Sequence, residues 1–208
     1  MLIKKGAEAY LYKENWYEKQ IIRKFRRPKS YRILELDQQI RTYRTIHEAK
    51  LLAEARKVGV PTPIVYQVDI PNTTIIMEFI EGERIKELFL SSNDSMEICM
   101  TIGNLVGRLH NNGIVHGDLT TSNMILSRNK LFLIDFGLGD FSNSIEAFGV
   151  DLHLLRRALE STHFKNAKKF FQEIQDEYIR EMDSKGYEVI NRLEEILTRG
   201  RYVIRQKE

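Results

Sequence analysis

A polar stretch near the middle of the chain combines two aspartates and an asparagine at a fixed spacing. Asp118 lies in the run His116-Gly117-Asp118-Leu119-Thr120-Thr121-Ser122-Asn123, and Asp135 opens Asp135-Phe136-Gly137 twelve residues after Asn123. Phosphoryl transfer needs one carboxylate that orients or deprotonates the acceptor, and carboxylate and amide oxygens that hold Mg²⁺ on the phosphates of ATP. We therefore predict that Asp118 is the catalytic carboxylate and that Asn123 and Asp135 are metal ligands.

Two turns rich in Asp and Asn are the simpler interpretation, because these residues stabilise turns in many proteins. The context of the two motifs argues against it. The first motif follows a predicted helix that ends at Leu109-His110, and the two motifs enclose a predicted β-hairpin. We favour the phosphoryl-transfer site for this reason.

The elements that must position these residues fall into a strand-rich part and a helical part. Alternating apolar residues and turn signals predict four strands and one helix in the first part; these are Tyr10–Tyr12, Gln20–Lys24, Ile64–Asp69 and Thr74–Phe79, with a helix from Leu36 to Lys57. Lys13–Asn15 is predicted to be a turn, and Gly59 and Pro61 are predicted to end the helix.

The second part is predicted to be mostly helical. Apolar stripes indicate helices over 98–109, 150–159 and 167–178 and a short last helix over 193–197, with a hairpin formed by 124–126 and 131–134. We predict an α+β fold of two lobes. The N-terminal lobe is residues 1–80, the C-terminal catalytic lobe is residues 81–198, and residues 199–208 form a basic tail.

Composition excludes several classes of protein. The chain has 208 residues, 42% of them hydrophobic, and a net charge of 32 − 29 = +3. These values are typical of a globular protein, and no apolar run approaches the roughly 20 residues that span a bilayer. The N-terminus becomes charged too early for a signal peptide, and the single cysteine, Cys99, cannot form an internal disulfide. We expect a cytoplasmic protein without a membrane partner.

Two clusters of basic residues could bind phosphates. One lies between Lys19 and Arg44, and the other closes the chain with Arg199, Arg201, Arg205 and Lys207. A solvated charged face is the simpler interpretation of either cluster.

The two central motifs resemble the signature of the protein-kinase superfamily, HRD-x4-N followed by DFG. The sequence is more similar still to the small atypical kinase family of the KEOPS complex, which is related to the RIO kinases and has a very similar HGDLTTSN loop. The resemblance extends over nearly the whole chain. It includes Lys29-Ser30-Tyr31-Arg32, Leu36-Asp37, Arg44, Glu48, Asp135 to Gly139, Val150-Asp151-Leu152 and Arg199-Gly200-Arg201.

The resemblance implies further site residues. Lys24 corresponds to the lysine that contacts the α- and β-phosphates, with Arg23 and Arg26 as neighbouring cations, and Glu48 is its carboxylate partner. A solvent-facing charge is the alternative for both Lys24 and Glu48. The phosphate-covering loop would be Gly6, Ala7, Glu8 and Ala9. The adenine-binding segment would use the backbone C=O of Glu78 and the N–H of Ile80.

The same resemblance implies what the chain does, and the departures from the protein-kinase pattern limit it. Gly117 replaces the arginine of HRD, Thr120 replaces a lysine, and no Ala-Pro-Glu lies between Asp135 and Asp151. The implied function is a Mg-ATP-dependent ATPase with weak Ser/Thr kinase activity. It would act beside the transferase that forms N6-threonylcarbamoyladenosine in tRNA, with the basic tail contacting tRNA. The alternatives are a small-molecule phosphotransferase and an inactive RNA-binding scaffold.

Overall fold

The computed structural model describes residues 1–6, 8–91 and 95–205, with the backbone alone described at 91 and 200–205. Its N-terminal part is a five-stranded antiparallel sheet with the strand order β1-β2-β3-β5-β4. The strands are β1 (Leu2–Lys5), β2 (Tyr10–Trp16), β3 (Lys19–Phe25), β4 (Val65–Asp69) and β5 (Thr74–Glu78). Helix α1 (Leu34–Lys57) connects β3 to β4 and packs against β4 and β5.

The sequence predicts four of the five strands of this sheet, misses β1 and errs at one turn. The end of α1 is confirmed, because the chain leaves the helix through Gly59 in the left-handed region, at φ +83°. The predicted turn at Lys13–Asn15 was wrong, since these residues lie within β2 and pair with the first half of β3. The reversal occurs at Tyr17-Glu18 instead.

The rest of the described chain is mainly helical. Helices α2 (Ile85–Ser91), α3 (Met96–Asn111), α4 (Ile145–Thr162), α5 (Ala167–Met182) and α6 (Ser184–Arg205) are joined by short strands and loops. The strands are β6 (Glu83–Arg84), β7 (Ile114–Val115), β8 (Met124–Ser127), β9 (Lys130–Leu133) and β10 (Asp140–Phe141), and a 3-10 helix spans Thr121–Asn123. The α+β fold and the β8–β9 hairpin are confirmed.

Apolar helix faces form the core of the helical part. Helix α3 packs against α5, and α4 packs against α6. Their buried side chains include Ile102, Val106, Phe170, Ile174 and Leu193. The last helix is longer than predicted, so residues 199–205 of the expected tail are helical. Among the described residues, no helix is long and apolar enough to cross a membrane.

Candidate active site

A cavity lies between the N-terminal sheet and the β8–β9 hairpin. Apolar side chains from both sides line most of it, namely Leu11, Ile22, Met77, Ile125 and Ile134. Four side chains form its polar end, namely Lys24, Glu48, Asn123 and Asp135. An apolar pocket with a few convergent polar groups is the usual form of a ligand site.

Lys24 lies between two carboxylates at the polar end of the cavity. Its Nζ is 2.6 Å from Glu48 Oε1 on α1 and 2.6 Å from Asp135 Oδ1. Lys24 is 5% exposed and Glu48 is 1% exposed, so neither residue is a solvent-facing charge. The three charged groups thus come from three different elements. Lys24 lies on strand β3, Glu48 on helix α1 and Asp135 in the loop after β9.

These contacts set the charge states of the cluster. Burial works against the charge of Lys24, but the carboxylates of Glu48 and Asp135 outweigh it and raise the pKa of the ammonium. Burial likewise opposes the charge of Asp135, yet the adjacent Lys24 holds the pKa of this carboxyl below its usual value. Lys24 and Asp135 are therefore both ionised at neutral pH.

Asp118 and Asn123 are joined within the loop that follows β7. The Asn123 side-chain amide donates to the Asp118 carboxylate at 2.8 Å and to the Asp118 backbone carbonyl at 2.9 Å. Both hydrogen bonds use the amide nitrogen, so the amide oxygen is the Asn123 atom that can ligate a cation. Asn123 lines the cavity, and Asp118 adjoins it through this link.

Asp151 on α4 holds the backbone of the same loop. Its carboxylate accepts the N–H groups of His116 at 2.7 Å and Gly117 at 2.9 Å. The ring of His110 lies 3.3 Å from this carboxylate and 2.9 Å from the hydroxyl of Tyr178. Burial opposes the negative charge, but the hydrogen bond from His110 and the backbone donors lower the pKa of Asp151. Helices α3, α4 and α5 are therefore all connected to the loop that carries Asp118.

Gly117 is required by the close approach of two loops. Its φ is +78°, and a Cβ at this position would lie 2.0 Å from the backbone carbonyl oxygen of Leu138. No side chain fits there. Protein kinases have an arginine at this position. The glycine found here instead allows the Asp118 loop to contact the segment after Asp135 directly.

The remaining predicted positions lie around the cavity or outside it. Glu78, Phe79 and Ile80 line the cavity where β5 ends. The Gly6 N–H donates to the Ala9 carbonyl at 3.0 Å, and Glu8 pairs with Arg44 of α1 at 2.6 Å. Gly6, Glu8 and Ala9 do not line the cavity, which Ile3 and Lys4 reach instead. Ala7 lies outside the described residues.

Comparison with known families identifies the fold and its group. Residues 11–167, more than half of the chain, match the RIO domain family. The chain belongs to the RIO domain family. It is 48% identical over 210 residues to the KEOPS complex subunit Bud32 of Pyrococcus abyssi, covering 97% of this chain and 96% of that protein. The resemblance to the KEOPS kinase family is thereby confirmed.

Other relatives of the chain are longer proteins. The chain is 40% identical to a protein of Methanothermobacter thermautotrophicus named a probable bifunctional tRNA threonylcarbamoyladenosine biosynthesis protein, covering 97% of this chain and 36% of that protein. A protein of Methanosarcina acetivorans with the same name is 47% identical, with coverages of 95% and 35%. The chain thus spans about a third of the length of these bifunctional relatives.

Solved structures confirm the fold alone. The Rio2 kinase–ADP/Mg²⁺–phosphoaspartate complex of Chaetomium thermophilum superposes with a TM-score of 0.62 at 18% identity, covering 94% of this chain and 70% of that one. WaaP in complex with acyl carrier protein gives a TM-score of 0.55 at 14% identity, with coverages of 93% and 87%. The kinase-like arrangement of a strand-rich sheet and a helical part is therefore shared with both.

The residues of this RIO domain fit a magnesium ion held together with a nucleotide. Mg²⁺ prefers hard oxygen ligands and is usually held by one or two carboxylates plus phosphates. Asp135 supplies a carboxylate that is 39% exposed at the polar end of the cavity, and Asn123 supplies an amide oxygen. Among the described residues, no group of three or more His, Cys, Asp or Glu could hold a metal by itself. Phosphate oxygens would complete the ligand set.

Sequence reasoning missed the role of one cation. Arg23 lies on the opposite face of β3 from Lys24 and pairs with Glu14 at 2.7 Å. Arg26 instead lies on the same face as Lys24 and pairs with Glu48 at 2.5 Å. Successive side chains of a strand alternate between its two faces, and this alternation is the signal that separates Arg26 from Arg23. Neither arginine lines the cavity, but Arg26 contacts Glu48, which does.

Proposed function

We propose that the chain is a Mg-ATP-dependent ATPase and atypical serine/threonine kinase subunit of a KEOPS complex, and that it supports formation of N6-threonylcarbamoyladenosine in tRNA. The position of Lys24 between Glu48 and Asp135 is the observation that carries the enzymatic part. It brings a buried cation and a carboxylate to the polar end of a cavity, as phosphoryl transfer requires. The names of the relatives supply the complex and the tRNA modification.

Each residue of the cluster has a defined task in the proposed reaction. Lys24 contacts phosphate oxygens of ATP, and Glu48 fixes its ammonium group. Asp118 accepts the proton of the attacking hydroxyl or water. Asn123 and Asp135 would hold Mg²⁺, which neutralises charge on the phosphates when it is bound. The backbone C=O of Glu78 and the N–H of Ile80 would bind the adenine ring.

The short segment after Asp135 favours water over a peptide as the acceptor. Only residues 136–144 separate Asp135 from α4, and part of this segment forms β10, which pairs with β7. It therefore offers little surface for an extended peptide. We propose ATP hydrolysis beside the threonylcarbamoyl transferase as the main activity and Ser/Thr phosphorylation as a weaker one.

Asp118→Asn tests the catalytic assignment. The substitution keeps the size of the side chain and an oxygen that can accept a hydrogen bond, but it removes the negative charge that accepts a proton. ATP turnover, measured with and without tRNA and the transferase, should fall by about 10²–10⁴-fold, while the unfolding temperature stays unchanged. Asp176→Asn, on the exposed face of α5, is the matched control. Turnover near the wild-type rate in Asp118→Asn would overturn the assignment of Asp118, whereas no turnover in wild type itself would favour an inactive scaffold.

The end of α6 is the proposed contact with tRNA. Arg199 is exposed, and the backbone of α6 continues through positions 201 and 205. Lys207 lies outside the described residues. Truncation after Thr198 should lower tRNA affinity and reduce the slope of log K against log salt by roughly 0.7–0.9 per lost phosphate contact. Basal ATP hydrolysis and the unfolding temperature should not change. An unchanged salt slope would move the tRNA site elsewhere, with the Lys19–Arg44 cluster as the next candidate.

A further inference from the structure

Arg26 shares the carboxylate of Glu48 with Lys24. Arg26 Nη2 lies 2.5 Å from Glu48 Oε2, and Lys24 Nζ lies 2.6 Å from Glu48 Oε1. Each oxygen of one buried carboxylate thus receives a different cation. Arg26 is 2% exposed, and its backbone N–H donates to the Thr73 carbonyl at 3.1 Å, which fixes it beyond the end of β3.

The arrangement of charges around Glu48 indicates how Arg26 would affect the proposed reaction. Lys24 also pairs with Asp135, and Asp135 is the residue proposed to ligate Mg²⁺. If Asp135 held Mg²⁺, Glu48 would be the remaining carboxylate that holds Lys24. A carboxylate that is bonded through both oxygens cannot rotate freely. Arg26 therefore keeps Oε1 of Glu48 directed at Lys24.

Stability alone is a weak explanation for a buried arginine here. Nε of Arg26 is buried, and it has no hydrogen-bond partner among the described residues. Burying an unsatisfied donor is costly, and a buried ion pair often contributes less to stability than apolar residues of similar volume. Arg26 Nη2 also lies 3.3 Å from where a Cβ of Gly137 would be, so it adjoins the loop that carries Asp135.

We propose that Arg26 is a positioning residue that holds Glu48, and through it Lys24, in the geometry required for phosphoryl transfer. The inference rests on the proposed function, because it assumes that Lys24 acts on ATP. It assigns no contact between Arg26 and the nucleotide.

A double-mutant cycle with Lys24 tests the proposal. The variants are Arg26→Met, Lys24→Met and the double variant, with kcat and KM for ATP measured for each and for wild type. Arg26→Met should lower kcat by roughly tenfold with a smaller change in KM, since it removes orientation rather than binding. In the Lys24→Met background the same substitution should cause no further loss, because the group that it positions is gone.

Two further measurements separate positioning from a structural role. Arg26→Lys keeps a cation within reach of Glu48 and should recover part of the lost kcat. The affinity for a non-hydrolysable ATP analogue, measured without Mg²⁺, should change less than threefold in Arg26→Met, roughly the lower limit of a resolvable coupling. Arg23→Met is the matched control on the opposite face of β3 and should behave as wild type. If Arg26→Met does not fold, Arg26→Gln replaces it in the cycle.

The outcomes distinguish the inference from the function on which it rests. An equal loss of kcat from Arg26→Met in both backgrounds, or no loss in either, overturns the positioning role. If Lys24→Met itself keeps the turnover of wild type, the proposed function fails, and the positioning role fails with it. Loss in Lys24→Met without loss in Arg26→Met overturns the positioning role alone.

Discussion

Glu48 and Asp151 are both buried carboxylates at the same site, but they hold different kinds of partner. Glu48 divides its two oxygens between the side chains of Lys24 and Arg26. Asp151 divides its oxygens between the backbone N–H groups of His116 and Gly117. Long side chains can exchange partners when a ligand arrives, whereas backbone amides in a packed loop cannot.

This difference in partners indicates that the Glu48 cluster and the Asp151 cluster have different tasks at the site. The Glu48 cluster lies at the cavity and contains a carboxylate, Asp135, that is partly open to solvent. The Asp151 cluster is closed, and its third partner, His110, is itself fully buried. We infer that the first cluster mainly determines activity, and that the second determines the stability of the loop that carries Asp118.

Among substitutions in these two clusters, Lys24→Met should have the largest effect, and on activity alone. Losing a cation that stabilises transferring phosphate is expected to lower kcat by about 10²–10³-fold. The unfolding temperature should change little, because Glu48 keeps its ion pair with Arg26 and Asp135 can reach water. Turnover assays and thermal unfolding of the same preparation check both expectations. A large drop in unfolding temperature would remove the distinction between the two clusters.

Asp151→Asn should mainly affect stability. The side-chain amide that replaces one carboxylate oxygen cannot accept a hydrogen bond, so a buried backbone N–H loses its partner. We expect the free energy of unfolding to fall by about 1–3 kcal/mol. The loss of turnover should be smaller than in Lys24→Met. Denaturant unfolding beside the surface variant Asp176→Asn measures the effect, and equal stability of the two variants would contradict it.

The loss of stability in Asp151→Asn should also depend on pH, which is a smaller and more specific effect. The pKa of Asp151 is below its ordinary value of 3.8 in the folded protein. Its contribution to stability is therefore present above that value and is lost as the pH falls through the folded pKa. The difference in unfolding free energy between wild type and Asp151→Asn should be constant from about pH 6 to 8 and should shrink below about pH 4. A difference that grows in acid would reverse the assigned sign.

Sequence spacing predicted the oxygen-bearing part of the site. Asp118, Asn123 and Asp135 lie close together around the β8–β9 hairpin, which the short apolar runs had already indicated. Only the family resemblance allowed Lys24 to be chosen over its neighbours Arg23 and Arg26. Arg26 was missed because its ion pair is with Glu48, which is distant in sequence and is brought near only by the packing of α1 against the sheet.

The errors in the fold have a common physical origin. Lys13–Asn15 was assigned to a turn because polar residues are common in turns, but pairing with β3 overrides this local preference. The last helix was predicted only over 193–197, where Leu193, Ile196 and Leu197 form a short apolar stripe. Val189 and Leu193 are nevertheless fully buried, and packing against α4 extends the helix from Ser184 to Arg205.

Gly117 has a consequence for how this site can evolve. The arginine that protein kinases have in this position cannot be introduced by one substitution, because any side chain at 117 would collide with the carbonyl of Leu138. The segment after Asp135 would first have to move away from the loop. Control by a phosphorylated activation segment that uses this arginine would thus require two coordinated changes, since a substitution at Gly117 alone introduces only the clash with Leu138.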